Sequence, residues 1–118
     1  MRADAKTETE VMDAVKKCFE AFARKDIDVA LSLFAPDPDV VLIGSGGDEK
    51  GMGINEIKAI FERAFSQFIK ASFEFGWHSV SIAGPLAWMA ADVGFRVHVK
   101  ASNREVSRQL RLTGVIEK

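Results

Sequence analysis

The stretch Ala71-Ser72-Phe73-Glu74-Phe75-Gly76-Trp77-His78-Ser79-Val80-Ser81-Ile82-Ala83 is followed by Gly84-Pro85, then by Leu86-Ala87-Trp88-Met89-Ala90-Ala91-Asp92-Val93-Gly94-Phe95-Arg96-Val97-His98-Val99-Lys100. Two long runs rich in β-branched and aromatic residues, joined by two turn formers, predict a β-hairpin. A second turn at Ala101-Ser102-Asn103 gives three strands, near 71–83, 86–100 and 104–117. Reading Gly84-Pro85 as a two-residue turn sets the register, with Trp77 across from Asp92 and His78 across from Ala91. One face then carries Val80, Ile82, Ala87, Met89, Val93, Phe95 and Val97, together with Glu74 and His78. The other carries Phe73, Phe75, Trp77 and Trp88 beside Ser79, Asp92, Arg96 and His98. A sheet that is apolar on both faces needs two covers.

The residues upstream supply one of them. Thr7-Glu8-Thr9-Glu10 fits a capping box, and Val11, Val15, Cys18 and Phe22 recur at the spacing of one helical face, which predicts a helix from about Thr7 to Ala23. Asp26 is placed to cap a short second helix that must end before Pro36-Asp37-Pro38. Val40-Val41-Leu42-Ile43 reads as a strand buried on both faces, closed by the flexible Gly44-Ser45-Gly46-Gly47. Ile54, Ile57, Phe61, Ala64, Phe65 and Phe68 then keep a helical period from about Ile54 to Phe68. Three helices therefore cover one sheet face, in an α+β domain. A second copy of the chain is the simplest cover for the other, so a homodimer is expected to bury Trp77, Trp88, Phe75 and Asp92.

Composition narrows the function. At 118 residues the chain holds one core, and with 47% hydrophobic residues and nine Phe it has the apolar surface to fold. Sixteen basic and seventeen acidic residues are interspersed, leaving no footprint for nucleic acid or an anionic membrane. One cysteine cannot form an internal disulfide, and the polar start from Met1 to Lys6 lacks the apolar stretch of a signal peptide, so a cytoplasmic location is expected. No apolar run approaches the length of a membrane span.

Several segments carry a resemblance: Phe34-Ala35-Pro36-Asp37, Val40-Val41-Leu42-Ile43-Gly44-Ser45-Gly46, Gly53-Ile54-Asn55-Glu56-Ile57, Gly84-Pro85-Leu86-Ala87-Trp88-Met89-Ala90-Ala91 and the closing Arg111 to Lys118. Together they resemble the SnoaL-like domains of the NTF2-like superfamily, a cystatin-like α+β barrel. The resemblance implies helices and a concave sheet face around a conical cavity, with a convex face that commonly makes a dimer. It also implies a turn and a last strand beyond Lys118, so the single domain spanning 1–118 is expected to be truncated, completed by a partner or left one strand short. Members include isomerases, cyclases, dehydratases and association domains, so fold alone does not give the activity. Aligned on Phe34-Ala35-Pro36-Asp37, the general base of ketosteroid isomerases falls near Leu42, its tyrosine donor at Cys18 and its protonated aspartate at Thr113. None of the three is kept, and the chain has no tyrosine at all.

The expected ligand is a small hydrophobic molecule or a carboxylate, held among Cys18, Phe22, Phe61, His78, Arg111 and Thr113. His78 projects toward the cavity as a hydrogen-bonded wall residue or, in an enzyme, as acid or base. By resemblance Arg111 and Thr113 point inward, where the guanidinium could hold a carboxylate; by alternation Leu110, Leu112 and Ile116 face the core and Arg111 faces solvent. Cys18 lies on an apolar helix face with no basic neighbour, as an inert thiol would. Asp92 and Arg96 on the aromatic face read as an interface or surface ion pair. The two histidines fall on opposite sheet faces, so no metal site is expected, and no cofactor is indicated. Gly44-Ser45-Gly46-Gly47 lacks the Gly-Lys-Ser/Thr ending of a phosphate loop and reads as a rim loop. Besides ligand binding, two rival functions stay open: an enzyme of the cyclase, isomerase or dehydratase kind, and a non-catalytic association module.

Overall fold

The computed structural model describes residues 1–44, 47 and 49–117. Ser45 and Gly46, at the centre of the rim-loop reading of Gly44-Ser45-Gly46-Gly47, lie outside them. The element order is α1 (Ala5–Ala23), α2 (Ile27–Ser32), β1 (Val41–Ile43), β2 (Lys50–Met52), α3 (Ile54–Phe65), β3 (Phe68–Ala83), β4 (Leu86–Val99) and β5 (Arg104–Glu117). Helix α1 starts earlier than the capping box suggests. Asp4, in extended backbone, accepts a hydrogen bond from the Thr7 amide, so Asp4 rather than Thr7 is the cap and Thr7 lies inside the first turn. Asp26 caps α2 as expected, accepting from the Val29 amide. Helix α3 ends at Phe65 rather than Phe68, because Phe68 opens β3 and is buried there.

The three long strands form one antiparallel sheet in the order β3-β4-β5, while β1 and β2 pair only with each other as a separate hairpin. That hairpin corrects the expectation of a strand buried on both faces. Val41 and Ile43 are exposed, and only Val40 and Leu42 pack inward against α2 and α3. At the outer edge of β3, the Ala3 amide donates to the Val80 carbonyl and the Ile82 amide to Met1, so the first residues shield that part of the edge.

The register of the long hairpin matches the sequence reading from the turn back to His78, which pairs with Ala91. It then shifts: Phe75 pairs with Val93, so Gly76 and Trp77 together oppose Asp92. The extra residue is a β-bulge, and it reverses which side chains point to which face. Phe73 and Phe75 therefore lie on the helix side with His78, Val80 and Ile82, and Glu74 turns outward, the reverse of the assignment made from uninterrupted alternation.

The helix side holds the core. Val11 and Met12 of α1 bury against Val80, Ala87, Met89, Ala91 and Val93 of the sheet. Ile57, Ile60 and Phe61 of α3 bury against Ala21 and Ala30. Phe19 sets its ring edge-on to Phe73 and Phe75, at 4.8 and 5.2 Å between centroids, joining α1 to the strand beyond the bulge.

Candidate functional site

Glu8, Met12, Val15 and Phe19 recur every three or four residues of α1 and so share the face turned to the sheet. The strand opposite brings His78 to the same level, two residues before buried Val80. Nε2 of His78 stands 2.8 Å from Oε1 of Glu8, across 70 residues of sequence, with the two side chains 32% and 24% exposed. Among the described residues no polar or charged residue is fully buried, so this pair sits at the rim of an interior that is otherwise apolar.

Deeper along the same face the expected lining residues Phe22 and Phe61 meet in a phenylalanine cluster. The ring of Phe22 lies 5.4 Å from Phe61, 5.1 Å from Phe65, 5.6 Å from Phe68 and 6.0 Å from Phe73. Cys18 is partly buried beside this layer, and removal from water pushes its thiol up to about 11, because burial penalises the thiolate. A thiol held so far above neutrality has almost no thiolate at pH 8. Cys18 is expected to react with a disulfide reagent at that pH at least tenfold more slowly in the folded protein than in urea, measured by the absorbance of the released thiolate.

The structure separates Arg111 and Thr113 from these groups. Strand β5 pairs with β4 through Ala91 opposite Leu112 and Met89 opposite Gly114, which turns Leu110, Leu112 and Ile116 to the helix side. Arg111 and Thr113 alternate to the outer face, where the Arg111 side chain is 93% exposed. The inward placement implied by resemblance is thus corrected by the strand's own alternation. Arg111 Nε lies 3.9 Å from Asp92 Oδ1, and Arg96 pairs with Glu105 at 3.0 Å in place of Asp92. These pairs are solvated and contribute little by themselves.

The outer face has its own relief. The bulge throws Trp77 outward, and its indole with Ala90, Asp92, Arg111 and Thr113 borders a depression of about 360 Å³. Trp77 is 62% exposed, Trp88 45%, and Val115, paired with Trp88 in the sheet, 74%. Phe75 does not belong with them: it is half-buried on the helix side against Phe19. Among the described residues no cluster of His, Cys, Asp and Glu has the arrangement to hold a metal ion, and no helix is long and apolar enough to cross a membrane.

Comparison with known proteins fits this geometry. A family model described as the SnoaL-like domain matches residues 11–118. The chain belongs to the SnoaL-like family. Its three helices and antiparallel sheet are an NTF2-like α+β fold, shared with an NTF2-like superfamily protein of Salmonella enterica serovar Typhimurium at TM-score 0.84 and 15% identity, over 96% of this chain and 80% of that one. A candidate aromatic ring hydroxylase from Novosphingobium aromaticivorans superposes at TM-score 0.87 with 22% identity, over 98% of this chain and 81% of that one. A candidate dehydratase of the NTF2-like family from Streptomyces avermitilis does so at TM-score 0.81 with 19% identity, over 96% and 88%. At these identities the likeness concerns the fold. No curated protein matches the sequence.

In this SnoaL-like domain the positions compared with isomerase chemistry are scattered: Cys18 is on α1, Leu42 packs inward from the β1–β2 hairpin, and Thr113 faces outward. Glu8 is the residue that sequence reasoning missed. It is an intervening residue of the capping box Thr7-Glu8-Thr9-Glu10, whose reaching carboxylate would be Glu10, and so it drew no separate reading. The available signal was spacing, since Glu8 precedes Met12 and Val15 by four and seven residues on one helical face.

Proposed function

We propose that this SnoaL-like protein binds a small, largely hydrophobic molecule on the helix side of its sheet and works as a homodimer through the opposite face. The observation that carries the binding reading is the Glu8–His78 pair. It is one partly exposed polar contact on an apolar surface shared by α1 and β3, and a ligand site needs just such a few polar anchors in apolar walls. Arg111, turned away, has no part in it. The dimer is supported by Trp77, Trp88 and Val115, which stand exposed on the face that the helices do not cover.

The test is ligand-induced thermal stabilisation across small aromatics, steroids and carboxylates. A binder at a hundred times its Kd adds about 2.7 kcal/mol, a rise of several degrees in Tm. His78→Ala is expected to reduce the rise for any compound that gives one, and Arg111→Ala to leave it intact. A library with no active compound would sink the binding reading.

A second reading, an acid–base enzyme of the cyclase, isomerase or dehydratase kind, gains support from Glu8. It supplies a second titratable group in contact with His78, and acid–base chemistry requires a base held in place by an orienting partner. If a bound compound is turned over, the rate should vanish in His78→Ala while binding only weakens.

A further inference from the structure

The Glu8–His78 contact also bears on which chemical group the helix-side site can recognise. A carboxylate only accepts hydrogen bonds, so the proton in the 2.8 Å contact with Glu8 Oε1 belongs to His78 Nε2. In the neutral ring the other nitrogen, Nδ1, then carries a lone pair and no hydrogen. Among the described residues nothing donates to Nδ1. Its neighbours on that sheet face are apolar: Val80 two residues along β3 and Ala91 opposite it in register, both in one cluster with Met12 of α1.

Three kinds of polar group on a ligand would meet this arrangement differently. A carboxylate would face the lone pair and, next to it, the negative charge of Glu8. A carbonyl or ether oxygen would set a lone pair against a lone pair. A hydroxyl would donate to Nδ1 and satisfy it. Arg111 is on the far face of the sheet, and on the helix side the Lys16 ammonium of α1 is placed over the Phe75 ring, 5.9 Å from its centroid, rather than in an ion pair with His78's partner Glu8. We infer that the site selects neutral, largely apolar molecules bearing a hydroxyl donor, alcohols or phenols, and that Glu8 is the positioning residue that makes His78 an acceptor. This rests on the ligand-binding reading given above and narrows it.

Three probes of one shape test it: 2-naphthol, 2-methoxynaphthalene and 2-naphthoate, titrated into the full chain at pH 8 with Kd read by calorimetry. One net hydrogen bond corresponds to roughly a five- to tenfold difference in affinity, so 2-naphthol should bind tighter than its methyl ether by about that factor, and 2-naphthoate weakest of all. In Glu8→Gln the amide can donate to Nε2 and let the ring take its other tautomer. The preference for 2-naphthol over the ether should then fall below about twofold, with the ether binding no more weakly than to the parent, because Nδ1–H can donate to its oxygen. A variant that had merely lost structure would weaken both probes alike and keep their ratio. If the wild type binds the ether or the naphthoate as tightly as the naphthol, or if Glu8→Gln keeps the preference, the inference is overturned while the ligand-binding reading stands. If none of the three binds, the inference is overturned, and the ligand-binding reading is decided by the wider library.

Discussion

Met89→Ala is expected to lower stability by about 3 kcal/mol, and Tm by about 10 °C or more, in a thermal melt followed by circular dichroism. Met89 is only 2% exposed and lies near the start of β4, where it packs with Val80, Ala91, Val93 and the α1 residues Val11 and Met12. Its thioether is fitted to a particular gap. A Cβ placed on Gly114, its partner on β5, would come within 3.7 Å of the Met89 sulfur, so the glycine leaves ordinary van der Waals room and no more. Removing the side chain opens a cavity walled by strands on one side and by α1 on the other, and neither can collapse without breaking the register. Met89→Leu, which nearly conserves volume, should cost under about 1.5 kcal/mol. A loss below about 1 kcal/mol for the alanine variant would mean that α1 does not seat on the sheet as described.

The contrast between what the sequence reveals and what it conceals turns on Gly76 and Trp77. Strand lengths, the turn at Gly84-Pro85 and the pairing of His78 with Ala91 were all legible, because β-branched runs and turn formers act locally. Alternation also foretold the outward Arg111, in competition with a family resemblance that turned it inward. The placement of Phe73, Phe75 and Glu74 was not legible by counting, since a single inserted residue reverses every side chain beyond it. The cue was a glycine in the middle of a strand, which can mark a bulge, though Gly94 and Gly114 sit in regular ladder. The physical reason for the bulge lies elsewhere in the sequence: with the parity reversed, Phe73 and Phe75 reach Phe19 on α1, a contact between residues more than fifty positions apart. The hairpin shows the same limit. Val40-Val41-Leu42-Ile43 is apolar throughout, yet its partner Lys50-Gly51-Met52 has almost no strand signal, and Gly51 is there because any Cβ would strike Ile60 of α3 at 2.9 Å.

The bulge that hides two phenylalanines also exposes a tryptophan, and this leads to the second large effect. Trp88→Asp is expected to convert a particle of twice the 13.0 kDa chain mass into one of 13.0 kDa, by light scattering on a size-exclusion column at micromolar concentration. In a two-fold interface the same patch serves both partners, so every substitution acts twice. A buried tryptophan at the centre of such a patch contributes about 2 kcal/mol or more, and two copies lost together weaken association by about a thousandfold. The outer face has the composition for it: Trp77 and Trp88 project from a floor of Ser79, Ser81 and Ala90, and Asp92 and Arg111 lie side by side, so a copy turned through a half rotation can meet charge with opposite charge. Because Trp88 lies on the face away from the helix-side core, the variant should keep its far-ultraviolet spectrum. Its own Tm should no longer depend on protein concentration, whereas that of the parent should. A parent protein that already runs as a 13.0 kDa monomer, with Trp77 and Trp88 open to fluorescence quenchers, would remove the dimer from the proposed function and leave the helix-side site to stand alone.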